Sequence, residues 1–379
     1  MNISDAKALQ NQHQQQPTED STPPSLRVLD VYRTSRCFLA SDFYPFLNEL
    51  ESEKTIQLMN ELDAKYYVNL YFAHFHGQWP FLTRPQFSPE TEPPILVLAM
   101  VICTLRMTEE KSLMRLAWLI HAHLHAIFVT QMDNWTVKEY SSHRWPIATY
   151  QAILLFTIFT ITANDYSEVF GPNAEDEEED VLDRIYPIFT RLVCTCRVQR
   201  ILYYPSILSQ IREDDPLVYK FSAAEELKYF ALTLFKVDNI LSKLMHLDQV
   251  PDTSSDVGGG HVPLSISELQ FPPPVNNYLW ETDGIREWLR RRARQCRDPS
   301  RSSHIYGAIM ANDRRTVLNR ELNPWICDIL GSGHVDGQAG NELQMATTAK
   351  KLGGRRRAWM GLGPWLGYLV GLDVGSAFS

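Results

Sequence analysis

Strand-like alternation of apolar and polar residues is almost absent from this chain of 379 residues, which argues against a β or α/β architecture. No GxSxG, Walker A, GxGxxG or kinase signature occurs, so nucleophile-elbow and phosphate-cradling chemistries have no anchor. The six cysteines include no CxxC pair; Cys194 and Cys196 come nearest, and a CxC pair alone cannot close a four-ligand zinc site. Their apolar neighbours Leu192, Val193 and Val198 predict buried free thiols for both. An excess of basic charge is missing too. At a net charge of -9 the chain as a whole is not built to grip a polyanion. The amino terminus has no apolar targeting segment, so a reducing compartment is expected. The apolar runs 95–105 and 148–163 fall short of the roughly 20 residues that span a bilayer.

What is present is helical. Leu58, Leu62, Tyr66 and Leu70 recur at every fourth position and lead into Tyr71 and Phe75. "ILVLAMVICTL" (95–105) reads as a buried helix. Thr108, Glu109 and Glu110 read as the cap and acidic first turn of the next one. Further helices are predicted over 148–163, 180–202, 222–247 and 279–295, with Ser222 and Glu225 as a capping box for the longest. The expected fold is all-α. Residues 1–54 form a polar, Gln-rich tail and lead-in, 55–300 a single large helical domain, and 301–379 a poorly ordered tail.

Three clusters suggest chemistry. His121 and His125 share a helix face as two zinc ligands would, but no glutamate base or third ligand accompanies them. The acidic run "EDEEED" (175–180) suggests a magnesium-dependent, terpene-cyclase-like enzyme. Its second metal motif would lie at 238–246, where Asp238 and Ser242 fit while Asn239 and His246 do not. Two basic runs, Arg290, Arg291, Arg292 and Arg294, then Lys350, Lys351, Arg355, Arg356 and Arg357, are candidate nuclear import signals or phosphate-contacting patches. The stretch 358–378 has bilayer length, but its glycines, Pro364 and Asp373 make a tail anchor a poor fit.

The most distinctive stretch is "YFAHFHGQWPFLTRPQF" (71–87), with six aromatics and two histidines at the end of a helix. Tyr71, Phe72, Phe75, His76, Pro80, Phe81, Leu82, Arg84, Pro85 and Phe87 resemble the signature of the fungal-specific transcription factor domain, also called the xylanolytic activator regulatory domain. Three later tracts agree in order: the helix around Gln151, the long helix with Asp238 and Ser242, and the proline-led segment ending at Leu279, Trp280 and Glu281, typical of the branch linked to C2H2 zinc fingers. The similarity runs over about 65–290. It departs at Leu227 and Lys228, where the family often has Arg-Arg.

The resemblance implies a regulatory, non-enzymatic region of a nuclear RNA polymerase II transcription factor. Its aromatics would be packing residues and Arg84 a structural donor. Partners would be co-regulators, an effector, a DNA-binding protein or a second copy, with no membrane. Zinc is expected only in a DNA-binding module that this chain lacks, since the residues before the domain hold a single cysteine, Cys37. DNA would be reached indirectly or through that module. A reading frame truncated in front and carried into non-coding sequence behind would account for both tails.

Overall fold

Burial of apolar helix faces builds this protein. The computed structural model describes residues 63–331, except 86, 109, 141–144, 164–174, 213, 246–260, 275–276, 283 and 297–312. Among them no β-strand occurs, only one isolated bridge between Tyr203 and Gln270. The architecture is all-α.

Helix α1 (Ala64–Leu70) is capped by the Asp63 carboxylate, which accepts from the amides of Lys65 and Tyr66. It runs on as a π-helical turn, Tyr71–Phe75. Helix α2 (Pro94–Arg106) begins on a proline, whose missing N–H costs nothing at a first turn, and packs against α1, α3 (Lys111–Thr130) and α5 (Ile147–Thr162). Between α3 and α5 lies the short α4 (Met132–Trp135), closed by the Trp135 indole donating to the Phe128 carbonyl at 3.0 Å. Helix α5 is buried along nearly its whole length, as an all-round apolar sequence requires. It is the centre of the core, with α6 (Glu175–Val198) and α8 (Leu217–Leu244) on it and the short α7 (Tyr204–Ser209) against α8.

Several expectations shift in register. Thr108 caps nothing: it sits in the turn after α2, donating its hydroxyl to the Leu105 carbonyl, and α3 starts at Lys111. Ser222 and Glu225 are not a capping box, because α8 begins five residues earlier, behind Pro216, and both side chains are buried mid-helix. The single helix expected over 279–295 is two, α9 (Asn277–Trp280) and α10 (Gly284–Cys296). Gly284 has φ +84°, a left-handed conformation that glycine adopts without strain, and the chain turns there. Two short helices follow, α11 (Arg314–Leu318) and α12 (Ile326–Gly331). Val317, Trp325 and Ile326 join the main core, so the packing runs beyond residue 300.

Among the described residues one helix, α3, is long and apolar enough to cross a membrane by length and composition. Its Leu116, Trp118, Ile120, Leu124, Ile127 and Phe128 are buried against the rest of the protein, as in a core helix. Residues 1–54 and 358–378 lie outside the described part.

Candidate functional site

The signature stretch is a knot of packing that joins three elements. Widening α1 into a π turn rotates Tyr71, Phe72 and Phe75 to one side, and all three are buried. The Tyr71 and Phe75 rings lie 5.2 Å apart, and Phe87 meets Phe72 edge-on at 5.3 Å. Arg84 acts here as a cation over the Phe72 ring, 5.7 Å from its centre. Trp79, Phe81 and Leu82 are buried, as is Pro85, while Pro80 is half-buried. The two prolines fix the path of the loop.

Phe81 is the link to the interior. Its ring meets Phe230 of α8 at 6.5 Å. Its carbonyl accepts a long hydrogen bond (3.4 Å) from the side-chain amide of Gln151 on α5. The same amide donates to Glu226 Oε1 on α8 at 2.8 Å. Gln151 is fully buried and thus bolts loop, α5 and α8 together. A buried amide left without partners would cost about 1–3 kcal/mol.

Helix α8 carries an unusual load of charge inside the protein. Lys228 Nζ donates to Glu225 Oε1 at 2.7 Å, with both side chains fully excluded from solvent, and lies 5.1 Å from the Tyr204 ring of α7. Burial opposes the charged form of Lys228, but the Glu225 carboxylate and Tyr204 outweigh it and hold the pKa above the ordinary value. Lys236 Nζ sits 4.1 Å from the centre of the Trp79 ring, and burial pulls its pKa down to about 7.

Asp238 is buried with both oxygens engaged: Oδ1 with His261 Nε2 at 2.6 Å, and Oδ2 with the Leu264 amide at 2.5 Å. It thereby holds the segment from His261 to Glu268 on the core. Arg197 of α6 helps, pairing with Glu268 and donating to the carbonyls of Val262 and Pro263. Ser242 is buried one turn further along α8. Of the side chains that a magnesium motif at 238–246 would need, Asp238 is thus engaged, and Asn239 donates to the Phe235 carbonyl.

The third signature tract seats Leu279 and Trp280 in the interior, with Trp280 4.6 Å from Tyr229 of α8, while Glu281 is exposed. Of the first basic run, Arg290 and Arg294 are exposed, whereas Arg291 and Arg292 are half-buried. The second run, Lys350 to Arg357, and the side chains of 175–180 lie outside the described residues.

The histidine cluster divides. His121 is buried, stacked on Phe156 at 4.1 Å, with Nε2 2.7 Å from the Thr160 hydroxyl. Burial, reinforced by His125, lowers its pKa to about 3. His125 lies near the surface, 3.4 Å from the Arg184 carbonyl. Cys194 is exposed and Cys196 buried, because two residues apart on α6 they face opposite ways; the expectation that both thiols are buried fails for Cys194. Burial raises the pKa of Cys103 and Cys196, which disfavours the reactive thiolate. Among the described residues no group of His, Cys, Asp and Glu is placed to hold a metal ion.

The depressed His121 pKa has a measurable consequence. The unfolded chain takes up a proton near 6.5 and the native one only near 3, so stability falls as the pH drops through that window. Between pH 7 and 5 this side chain alone is expected to cost roughly 2 kcal/mol. Urea unfolding of wild type and His121→Gln at the two pH values checks it; equal losses for both proteins would refute it.

The described core is helical and closed by the aromatic-proline loop. Residues 68–170, from within α1 to just beyond α5, match the family model described as the fungal specific transcription factor domain. The Schizosaccharomyces pombe protein described as zinc finger protein zas1 is 21% identical over 271 residues, which cover 68% of this chain and 26% of that protein. The chain thus spans about a quarter of that relative's length. No solved structure matches.

Glu225, Lys228, Glu226 and His261 were not singled out for their roles here by sequence reasoning. One signal was there: a charge inside a helix with apolar residues on every side must face a partner.

Proposed function

We infer that this chain acts in the nucleus as the regulatory region of a fungal RNA polymerase II transcription factor, through contacts with co-regulators, an effector or a second copy. The family match over 68–170 carries this reading, because it coincides with the loop and helices that supply much of the core. Sequence-specific DNA contact is assigned to a zinc module not found in this sequence or to a partner. The zinc-finger description of the S. pombe relative supports this division of labour. Zinc is then absent from the domain itself, and the run Lys350 to Arg357 serves nuclear import.

Fusing the full chain to a heterologous DNA-binding domain, upstream of a reporter, tests the reading. A several-fold rise or fall in reporter output is expected relative to the DNA-binding domain alone. Unchanged output, with the fusion present in the nucleus, would count against a transcriptional role.

A further inference from the structure

Helix α10 presents a regular row of arginines on a protein that is otherwise acidic. Five arginines and one glutamate give Gly284–Cys296 a net charge of +4, against -9 for the whole chain. One side of the helix is anchored. Trp288 is fully buried against Phe221 of α8, with Ile285 packed beside it, and the Arg292 guanidinium lies 5.9 Å from the Trp288 ring. Arg291 is half-buried; it pairs with Glu287 and donates to the Glu281 carbonyl. On the other side Arg286, Arg290 and Arg294 are exposed at i, i+4 and i+8.

We propose that this face of α10 is a sequence-independent contact for the phosphate backbone of duplex DNA. Successive arginines in the row stand about 6 Å apart along the helix axis, so the three span about 12 Å. Each strand carries one phosphate per about 3.4 Å of duplex axis, so a row of this length has a phosphate within reach of each of its three arginines. The single acid is no obstacle. Glu287 pairs with Arg290 at the surface, where Arg290 is 62% exposed, and solvent screens such a pair. A phosphate can replace that carboxylate. Burial of Trp288 holds the helix backbone, so the freedom lost on binding is that of the arginine side chains alone.

The same geometry disfavours this run as an import signal read in extended form. Consecutive side chains on a helix point about 100° apart, and Arg291 and Arg292 are turned inward. Choosing DNA as the polyanion rests on the transcriptional reading above; the arginine row does not.

Fluorescence anisotropy of the full chain with a labelled random-sequence duplex of about 20 base pairs decides the matter. Affinity should fall with salt at a log–log slope of about -2.7, as three phosphate contacts require. The variants R286Q/R290Q/R294Q and R286E/R290E/R294E should each lose about tenfold or more, with circular dichroism and melting unchanged. R191E, an exposed reversal on α6, should lose far less. Absent binding, a slope near zero, or equal losses for R191E would overturn the proposal. So would binding to an import receptor, anionic vesicles or an acidic peptide but not to DNA. If DNA binding fails while the tethered reporter still responds, only this inference falls; a silent reporter with intact DNA binding removes the transcriptional role instead.

Discussion

Replacing Lys228 by Met is expected to destabilise the protein by about 3–5 kcal/mol, among the largest single-residue effects available in this fold. The substitution leaves the Glu225 carboxylate fully buried without the ammonium that stands 2.7 Å from it. The charged pair is intact throughout the neutral range, since the pKa of Lys228 is raised above 10.5 and its stabilising contribution is fully present below that value. Desolvating the two ions offsets most of their attraction, however. The double variant Glu225→Leu/Lys228→Met should therefore recover to within about 1–2 kcal/mol of wild type or exceed it. Urea unfolding of the three proteins separates these cases. A single variant within about 1 kcal/mol of wild type would mean that water reaches the pair.

Phe81→Ala should cost about 3–5 kcal/mol through lost burial and the cavity left beside Phe230. Phe81→Leu should cost under roughly 2 kcal/mol, because most of the volume is kept. The Gln151 bond goes to the Phe81 carbonyl and survives either change. A difference between Leu and Ala thus reports packing rather than loss of the polar bolt. Equal thermal denaturation midpoints for Phe81→Ala and wild type would show that the loop does not rest on α8.

Helix type and rough position were legible wherever the apolar pattern was long. The run 95–105 became α2 and 148–163 became α5, each within a residue or so of its expected ends. Helix starts were less legible. Thr108 and Ser222 have good capping chemistry, but Thr108 sits in a turn one helix too early, and Ser222 lies where α8 had already begun behind Pro216. A cap motif stabilises a start by only about 1 kcal/mol, less than the burial of another turn of α8 provides. The split at Gly284 and the core contacts of Val317, Trp325 and Ile326 depend on partners distant in sequence. No local pattern contains them.

By itself the sequence determined that this protein is helical, that its signature lies at 71–87, and that it resembles a transcriptional regulator. Apolar periodicity and an aromatic-proline cluster are local properties of the chain. Only the tertiary structure decided which charges are spent inside and which face out. Asp238 found His261, and Glu226 found Gln151, across 23 and 75 residues of sequence. Two arginines of α10 turned inward while three formed a row on the surface. A charged side chain carries the same letter whether it is buried against a partner or free in water; the fold sets its neighbours, and the neighbours set what it does.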